Sequence, residues 1–536
     1  IILRFYQLGS NPPSLDWDEA SIGYNAYSIL KTGADEYGNK MPLSFRSFDD
    51  YKPPVYVYLT VPSVAVLGLT AFAVRLPAAI FGIVAVVAVY FFVLELLSSW
   101  SKAEIFSETT RQAIALLSML FLAISPWHLQ FSRAAFEGNI GDCFLILALL
   151  FFFKAWRQAA YYLLFALFMI LSMYSYHSFR LIDPLIVGIL IIFFLKEIFR
   201  QKKWFAVSVF IIIVSTIPIY SSFIQEGGTS ARLSMVTVFS DPVVQQLSAQ
   251  QELKAHQQHN LINEIIYNRR VIFIPQIIKG YLDHFNFDFL FLHGDGGVQH
   301  HAYNIGMLYL WDFPFIFLGI IYLLRKRTKK IWLLFFVFLL APLPAAITTG
   351  TPHPVRAIAM IPAFQIFAAA GVVWLAILLQ KKKILLVTVL SLSGLLLVIN
   401  FAYYLYSYYV LTPVKYGYFW QYGNKQAVEY AAQHESSYQR IIMTYVYDQP
   451  YIYYLFYNKV DPKWYQKNWN YSGNGTVDRF YRKIGIYEFM DITPKDFNRK
   501  NTLLIGTPQE IPDGVGKLKD TITFPDGRVA YKIVAI

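Results

Sequence analysis

A single cysteine, Cys143, stands in a chain of 536 residues, so no disulfide framework holds the fold together. Charge is also scarce. Asp, Glu, Lys and Arg make up 15% of the residues, where soluble domains carry roughly a quarter. Apolar residues take the space, at 56% hydrophobic and 18% aromatic. A mean hydropathy of +0.41 over this length excludes an ordinary soluble globule and points to an integral membrane protein. Acidic residues are fewer than basic ones, 34 against 46, for a formal net charge of +12. That excess raises nucleic acid as a partner, but its distribution argues otherwise. The Lys and Arg residues collect in short loops between apolar runs, as the positive-inside rule describes. No cleavable signal peptide is visible, and "IILRFYQLGS" reads as the end of a truncated first transmembrane helix.

Apolar runs of about 20 residues can cross a bilayer. They lie near 72–97, 111–129, 138–156, 159–176, 181–199, 203–223, 303–324, 331–348, 355–379 and 384–408. The fold class expected is therefore a polytopic α-helical membrane protein. The loops "KAWRQ" (154–158), "KEIFRQKKW" (196–204), "RKRTKK" (325–330) and "QKKK" (380–383) fall on one side, which the charge rule makes cytoplasmic. Loop 98–111 joins them with mixed signs. The outer side receives residues 1–71, the turns near 130–137, 177–180 and 349–356, a long loop at 224–302 and the C-terminal tail. A plasma-membrane location with the polar chemistry outside follows.

The first outer loop offers two helices, "DEASIGYNAYSILKTG" and "PPVYVYLTVPSVAVLGL", both expected to lie along the membrane surface. Asp18 and Glu19 open the first of them, where negative charge suits a helix N-terminus. Beyond Tyr409 the composition changes. "YQRIIMTYVYD", "TLLIGTP" and "RVAYKIVAI" read as short strands and "KQAVEYAAQH" as a helix. The expected division is a membrane domain over 1–408 and a small extracytoplasmic α/β domain over 409–536.

Charged groups at a membrane boundary cost free energy unless paired or solvated, and so mark candidate functional sites. The outer ends of the spans carry Asp18, Glu19, Lys52, Arg75, Arg133, Glu137, His177, Arg180, His353 and Arg356. Carboxylates and cations on one membrane face suit a particular chemistry. Lys or Arg holds a lipid-linked phosphate and stabilises it as it departs. A carboxylate takes the proton of an incoming hydroxyl.

The ordered segments "PPSLDWDEA", "YKPPVYVYL", "FAVRLPAAIFG" and "SPWHLQFSRAAFEGN" resemble the GT-C glycosyltransferases. The likeness is to the branch of the dolichyl-phosphate-mannose protein mannosyltransferases and the bacterial lipid A aminoarabinose transferase. It covers about residues 3–410, with "YSYHSFRLIDPL", "FNFDFLFLHGDGG" and "TPHPVRAIAMIPAFQ" similar to bacterial members. The resemblance implies a polyprenyl-phosphate-linked sugar donor, and a lipid, glycan or protein acceptor. It implies Asp18 as general base, Glu19 as its neighbour orienting acceptor or base, and Glu137 as a second acidic residue near the reaction centre. Lys52 matches the family lysine before proline that faces the donor phosphate, and Arg75, Arg180, His353 and Arg356 are further phosphate-binding candidates. The aminoarabinose transferase has a Glu just before its Lys-Pro. Here that place is Tyr51, so a carboxylate role there is lost or passes to Asp49 or Asp50.

Each residue also has a plainer reading. Asp16 is a turn or cap residue, Lys52 can snorkel to headgroups, and Arg133 can pair with Glu137 four residues on. "HQQH" (256–259) and "HGDGGVQHH" (293–301) are rich in ligands but form no recognisable zinc signature, so neither a metal nor a cofactor is expected. The sequons "NYS" (470–472) and "NGT" (474–476) fall outside in this topology. Two rival functions are a transporter or lipid flippase and a non-catalytic scaffold presenting the C-terminal domain. The first needs ionisable residues deep in the spans, for which Asp142 and Asp183 are the mild candidates.

Overall fold

The computed structural model describes residues 1–48, 50–98, 105–224, 237–258, 261–268, 271–469 and 481–536. Asp49, His259 and both sequons lie outside the described residues. The chain forms two compact units, one of residues 1–80, 132–136 and 405–536, the other of residues 81–131 and 137–404.

The first unit joins the N-terminal segment to the C-terminal sheet domain. Its helices include α1 (Trp17–Thr32), α2 (Val55–Leu67), the beginning of α3 (Ala71–Leu97), α4 (Asn424–Gln433) and α5 (Pro450–Tyr457). A two-stranded ribbon pairs β1 (Phe45–Ser47) with β2 (Asp50–Lys52), setting Lys52 opposite Phe45. The larger sheet holds β3 (Arg440–Met443), β4 (Arg482–Ile484), β5 (Tyr487–Phe489), β6 (Thr502–Gly506), β7 (Lys517–Thr523) and β8 (Val529–Ala535). Its order is β4-β5-β3-β6-β8-β7. β3 runs parallel to both neighbours and the outer pairings are antiparallel. The central β3 and β6 are buried almost throughout, and a parallel strand with both faces covered needs that near-continuous apolar character. The expected helix and the three expected strands of the tail are α4, β3, β6 and β8.

α1 is what the sheet domain packs against. Gly23 faces Phe456 of α5 closely. The Tyr453 hydroxyl donates to the Leu15 carbonyl at 3.2 Å, and the Tyr24 hydroxyl to that of Val460 at 3.1 Å. The Gln466 amide reaches Ser28, Thr32 and the Asp35 carbonyl.

The second unit is built of apolar helices. They include Glu108–Ile124, Glu137–Lys154, Tyr161–Ser175, Phe179–Arg200, Lys202–Ile224, Asp312–Leu324, Lys329–Leu340, Ile361–Leu379 and Lys383–Tyr406. With α3, a helix stands at each run read as a span. Among the described residues, five are long and apolar enough to cross a membrane: 71–97, 202–221, 329–346, 358–379 and 383–415. The others are shorter or less apolar. Val55–Leu67, at 13 residues, is below the length a span needs. Helices Asp312–Leu324 and Ile361–Leu379 approach closely because Gly319 and Gly371 face each other's backbone. A Cβ on Gly319 would strike the Phe367 carbonyl, and one on Gly371 that of Phe315. Small residues at such a crossing let two apolar helices meet at backbone distance.

Two of the basic loops also meet. Arg157 forks onto Glu95 at 2.8 and 3.1 Å, and the Lys330 ammonium donates to Glu95 O, Ser98 O and Ser98 Oγ. Lys329 reaches Phe193 O at 2.7 Å. Arg157 and Lys330, from two of the basic loops, thereby meet at Glu95 near the end of α3.

Candidate active site

The acidic stretch before α1 is a reciprocal cap. Asp16 Oδ1 accepts the Glu19 N–H at 2.8 Å, and Glu19 Oε2 accepts the Asp16 N–H at 3.3 Å. An acid followed three residues later by Glu is the signature of this motif. The cap leaves Asp18 in the first turn with its side chain turned outward.

The two acids consequently have opposite surroundings. Glu19 is 2% exposed and accepts four hydrogen bonds. Two come from Arg75, Nε to Oε1 and an Nη to Oε2, both at 2.8 Å; the others come from the Ala135 and Asp16 amides. Arg75 is fully buried, and its remaining N–H groups donate to the carbonyls of Leu8, Pro12 and Ser14. All five guanidinium donors are satisfied within the protein. Arg75, expected at the donor phosphate, has no N–H left for one. It fixes Glu19 and the loop before α1 instead.

Asp18 is 42% exposed and pairs with the Lys52 ammonium at 3.0 Å, a group 9% exposed. Lys52 reaches it from the end of β2, so the β1–β2 ribbon aims the lysine at the first turn of α1. Asp16, between these pairs, is buried. Burial and the neighbouring Glu19 and Asp18 charges push its carboxyl well above the usual range. Arg133 is enclosed by the same unit. It donates to the carbonyls of Leu3, Tyr6 and Asn11 and to the Tyr408 hydroxyl, and it stacks on Tyr408 and Tyr409.

The other four expected residues belong to the second unit, near the first turns of helix Glu137–Lys154. Glu137 opens that helix and is buried. Gly138 lies against Val355, between His353 and Arg356, and Gly141 against Phe179, next to Arg180. Arg180 donates to the Met173 carbonyl at 3.3 Å. Arg356 donates to Thr348 Oγ1 at 2.6 Å and to Thr349 O at 3.0 Å.

The sequence reading missed His284. It is buried, its Nδ1 lies 2.7 Å from the Gly280 carbonyl, and its Nε2 accepts the His353 amide at 3.0 Å. Only a neutral ring protonated at Nδ1 makes both bonds, and burial lowers its pKa accordingly. His284 thus holds the turn that carries His353 and Arg356. His353 also packs against the His300 ring, with centroids 5.0 Å apart, and His300 pairs with Asp295 at 2.7 Å. Among the described residues no group of three or more His, Cys, Asp or Glu is arranged to hold a metal.

Residues 51–220 match the family model described as dolichyl-phosphate-mannose-protein mannosyltransferase. The comparison with curated proteins finds no match. Among solved structures, apo ArnT from Cupriavidus metallidurans aligns with a TM-score of 0.51 at 12% identity, over 99% of this chain and 96% of that one. The same protein bound to undecaprenyl phosphate gives 0.50 at 11%, with the same coverage. The archaeal oligosaccharyltransferase AglB from Archaeoglobus fulgidus gives 0.46 at 11%, over 85% of this chain and 62% of that one. At such identities the structural likeness is one of fold. With its family segment over 51–220 and its ArnT-like fold, the chain resembles the GT-C superfamily of membrane glycosyltransferases, in the branch of the protein mannosyltransferases and aminoarabinose transferases.

Proposed function

We propose that this chain moves a hexose or pentose from a polyprenyl-phosphate carrier to a lipid, glycan or protein acceptor at the outer face of the plasma membrane. The observation that carries this reading is the Asp18–Lys52 pair, held on a first turn whose other acid is locked by Arg75. The family match over 51–220 supports the reaction class, and a relative bound to undecaprenyl phosphate supports the carrier class.

The chemistry follows from the pair. An incoming donor phosphate competes with Asp18 for the Lys52 ammonium and draws it away, which leaves Asp18 free to accept a proton. The acceptor hydroxyl gives that proton to the Asp18 carboxylate as its oxygen attacks the anomeric carbon. The carbon–oxygen bond to phosphate breaks in the same displacement, with inversion, and the polyprenyl phosphate leaves stabilised by Lys52. Glu19 and Arg75 act as positioning residues.

The test is transfer from a panel of polyprenyl-phosphate sugars in membranes carrying the chain, together with polyprenyl phosphate binding. Lys52→Met should weaken that binding and lower transfer by about a hundredfold or more, the usual loss for a group that stabilises developing charge. Unchanged binding and transfer in this variant would remove Lys52 from the donor site.

A further inference from the structure

The second unit contains a cavity of about 570 Å³, within the size range of small-molecule sites. Helices Tyr161–Ser175, Phe179–Arg200 and Lys202–Ile224 line it. Its lining is largely apolar, with the buried Met169 and Met173 on one side and Val187 and Ile212 on the others. Ile213 and Ile217 edge it and are more than half exposed, on a helix long and apolar enough to cross a membrane. An occupant therefore enters from lipid and has an apolar body.

One lining group has nothing to bond. Asp183 is 1% exposed, and both its carboxyl oxygens lack a hydrogen-bond partner. The nearby Ser172 hydroxyl is committed to the Gly141 carbonyl at 3.1 Å. The charged group that acts on Asp183 is another acid, Asp142, itself buried with Oδ1 unpartnered. Among the described residues neither acid makes an ion pair. Buried polar groups are normally bonded and intramembrane acids normally paired, because either is costly alone.

The other polar groups of the cavity have spent their protons. Pro184 has no N–H to offer the Arg180 carbonyl, and the Tyr220 hydroxyl donates to that oxygen at 3.3 Å. Thr216 donates to the Ile212 carbonyl at 2.8 Å and Ser221 to that of Pro218 at 3.0 Å. A hydroxyl has one proton and an ionised carboxylate none, so all four groups meet a ligand as acceptors. The matching ligand brings several donors and a positive charge on an apolar body.

We infer that this cavity binds a lipid-soluble primary amine. The ammonium pairs with Asp183 beside Tyr220, the hydroxyl within electrostatic reach of that acid, and the chain lies along Val187 and Ile212. A bare metal ion would leave the apolar walls unused. The inference stands apart from the transfer chemistry, and its readout is binding rather than catalysis.

Such an amine is either a single-chain alkylamine or the headgroup of phosphatidylethanolamine, and the experiment separates the two. The purified full chain in a neutral detergent is titrated with decylamine, decanol, magnesium chloride, phosphatidylethanolamine or phosphatidylcholine, and the thermal midpoint is followed. Decylamine should raise the midpoint saturably, and decanol and magnesium chloride should not. Phosphatidylcholine has no N–H, so a shift by phosphatidylethanolamine beyond that of phosphatidylcholine assigns the bilayer lipid. No such excess assigns the single-chain amine. Asp183→Asn removes the charge at constant shape and should weaken apparent decylamine affinity by about tenfold or more. Val187→Phe fills the cavity with the carboxylate intact and should weaken it too. Ile192→Phe, on the same helix but outside the cavity and 74% exposed, should not. No shift in the unaltered chain, or an unchanged titration in Asp183→Asn or Val187→Phe, would overturn the site. An equal shift with decanol would overturn the charge recognition, and one with magnesium chloride would overturn the organic ligand.

Discussion

Two adjacent acids in one helical turn have been given different work by their neighbours. Glu19 accepts four bonds in a buried site; Asp18 meets one lysine at the water's edge. Removing one partner of a buried ion pair leaves an uncompensated charge, and lysine cannot reproduce the arginine fork. Arg75→Lys should therefore destabilise the chain by on the order of 3 kcal/mol, read as a lower thermal midpoint and poor recovery of folded protein. Asp16 gives a pH test. Folding raises its pKa above the ordinary 3.8, so in the window above that value the native state holds a proton that the unfolded state has released. Stability falls as pH rises through this window. Asn also caps helices well, so Asp16→Asn keeps the turn and loses the titration. Its midpoint should fall less than that of the unaltered chain between about pH 4 and about pH 7.

At the scale of elements, the reciprocal cap was readable as D-x-x-E in "DWDE", and the tail's strands as short β-branched runs. Long-range pairing was not. Nothing in "FAVRLP" states that Arg75 turns to Glu19, 56 residues earlier, rather than to a ligand, because the partner is chosen by how α1 and α3 pack. His284 was equally hidden, since a lone histidine beside a helix end gives no periodic signal. Its pKa is lowered on folding, so its contribution to stability is full above about pH 6.5 and is lost as pH falls below that value. His284→Gln should flatten this acid-side loss, measured by thermal unfolding from about pH 7 down to about pH 5. Proximity of helix backbones was also invisible until the crossing was built. Gly371→Ala pushes a methyl at the Phe315 carbonyl and should cost about 1–3 kcal/mol. Gly394→Ala, which meets nothing within 4 Å, should be neutral or slightly stabilising.

At the scale of the molecule, apolar run lengths and basic loops set out the helices in advance, because lipid demands both. Helix Lys383–Tyr406 shows the demand plainly, with Ile384, Val387, Leu395 and Val398 all more than half exposed. The joining of the N-terminal loop and the C-terminal sheet in one unit depends on contacts over 400 residues apart, such as Tyr453 with Leu15. No local pattern carries those. The chemistry proposed for this architecture rests on one carboxylate, and the most direct measurement is sugar transfer from a polyprenyl-phosphate donor by Asp18→Asn beside the unaltered chain, at equal amounts of folded protein. The account predicts a loss of about a hundredfold or more, as for removal of a general base, with donor binding retained. Transfer at the unaltered rate would contradict it.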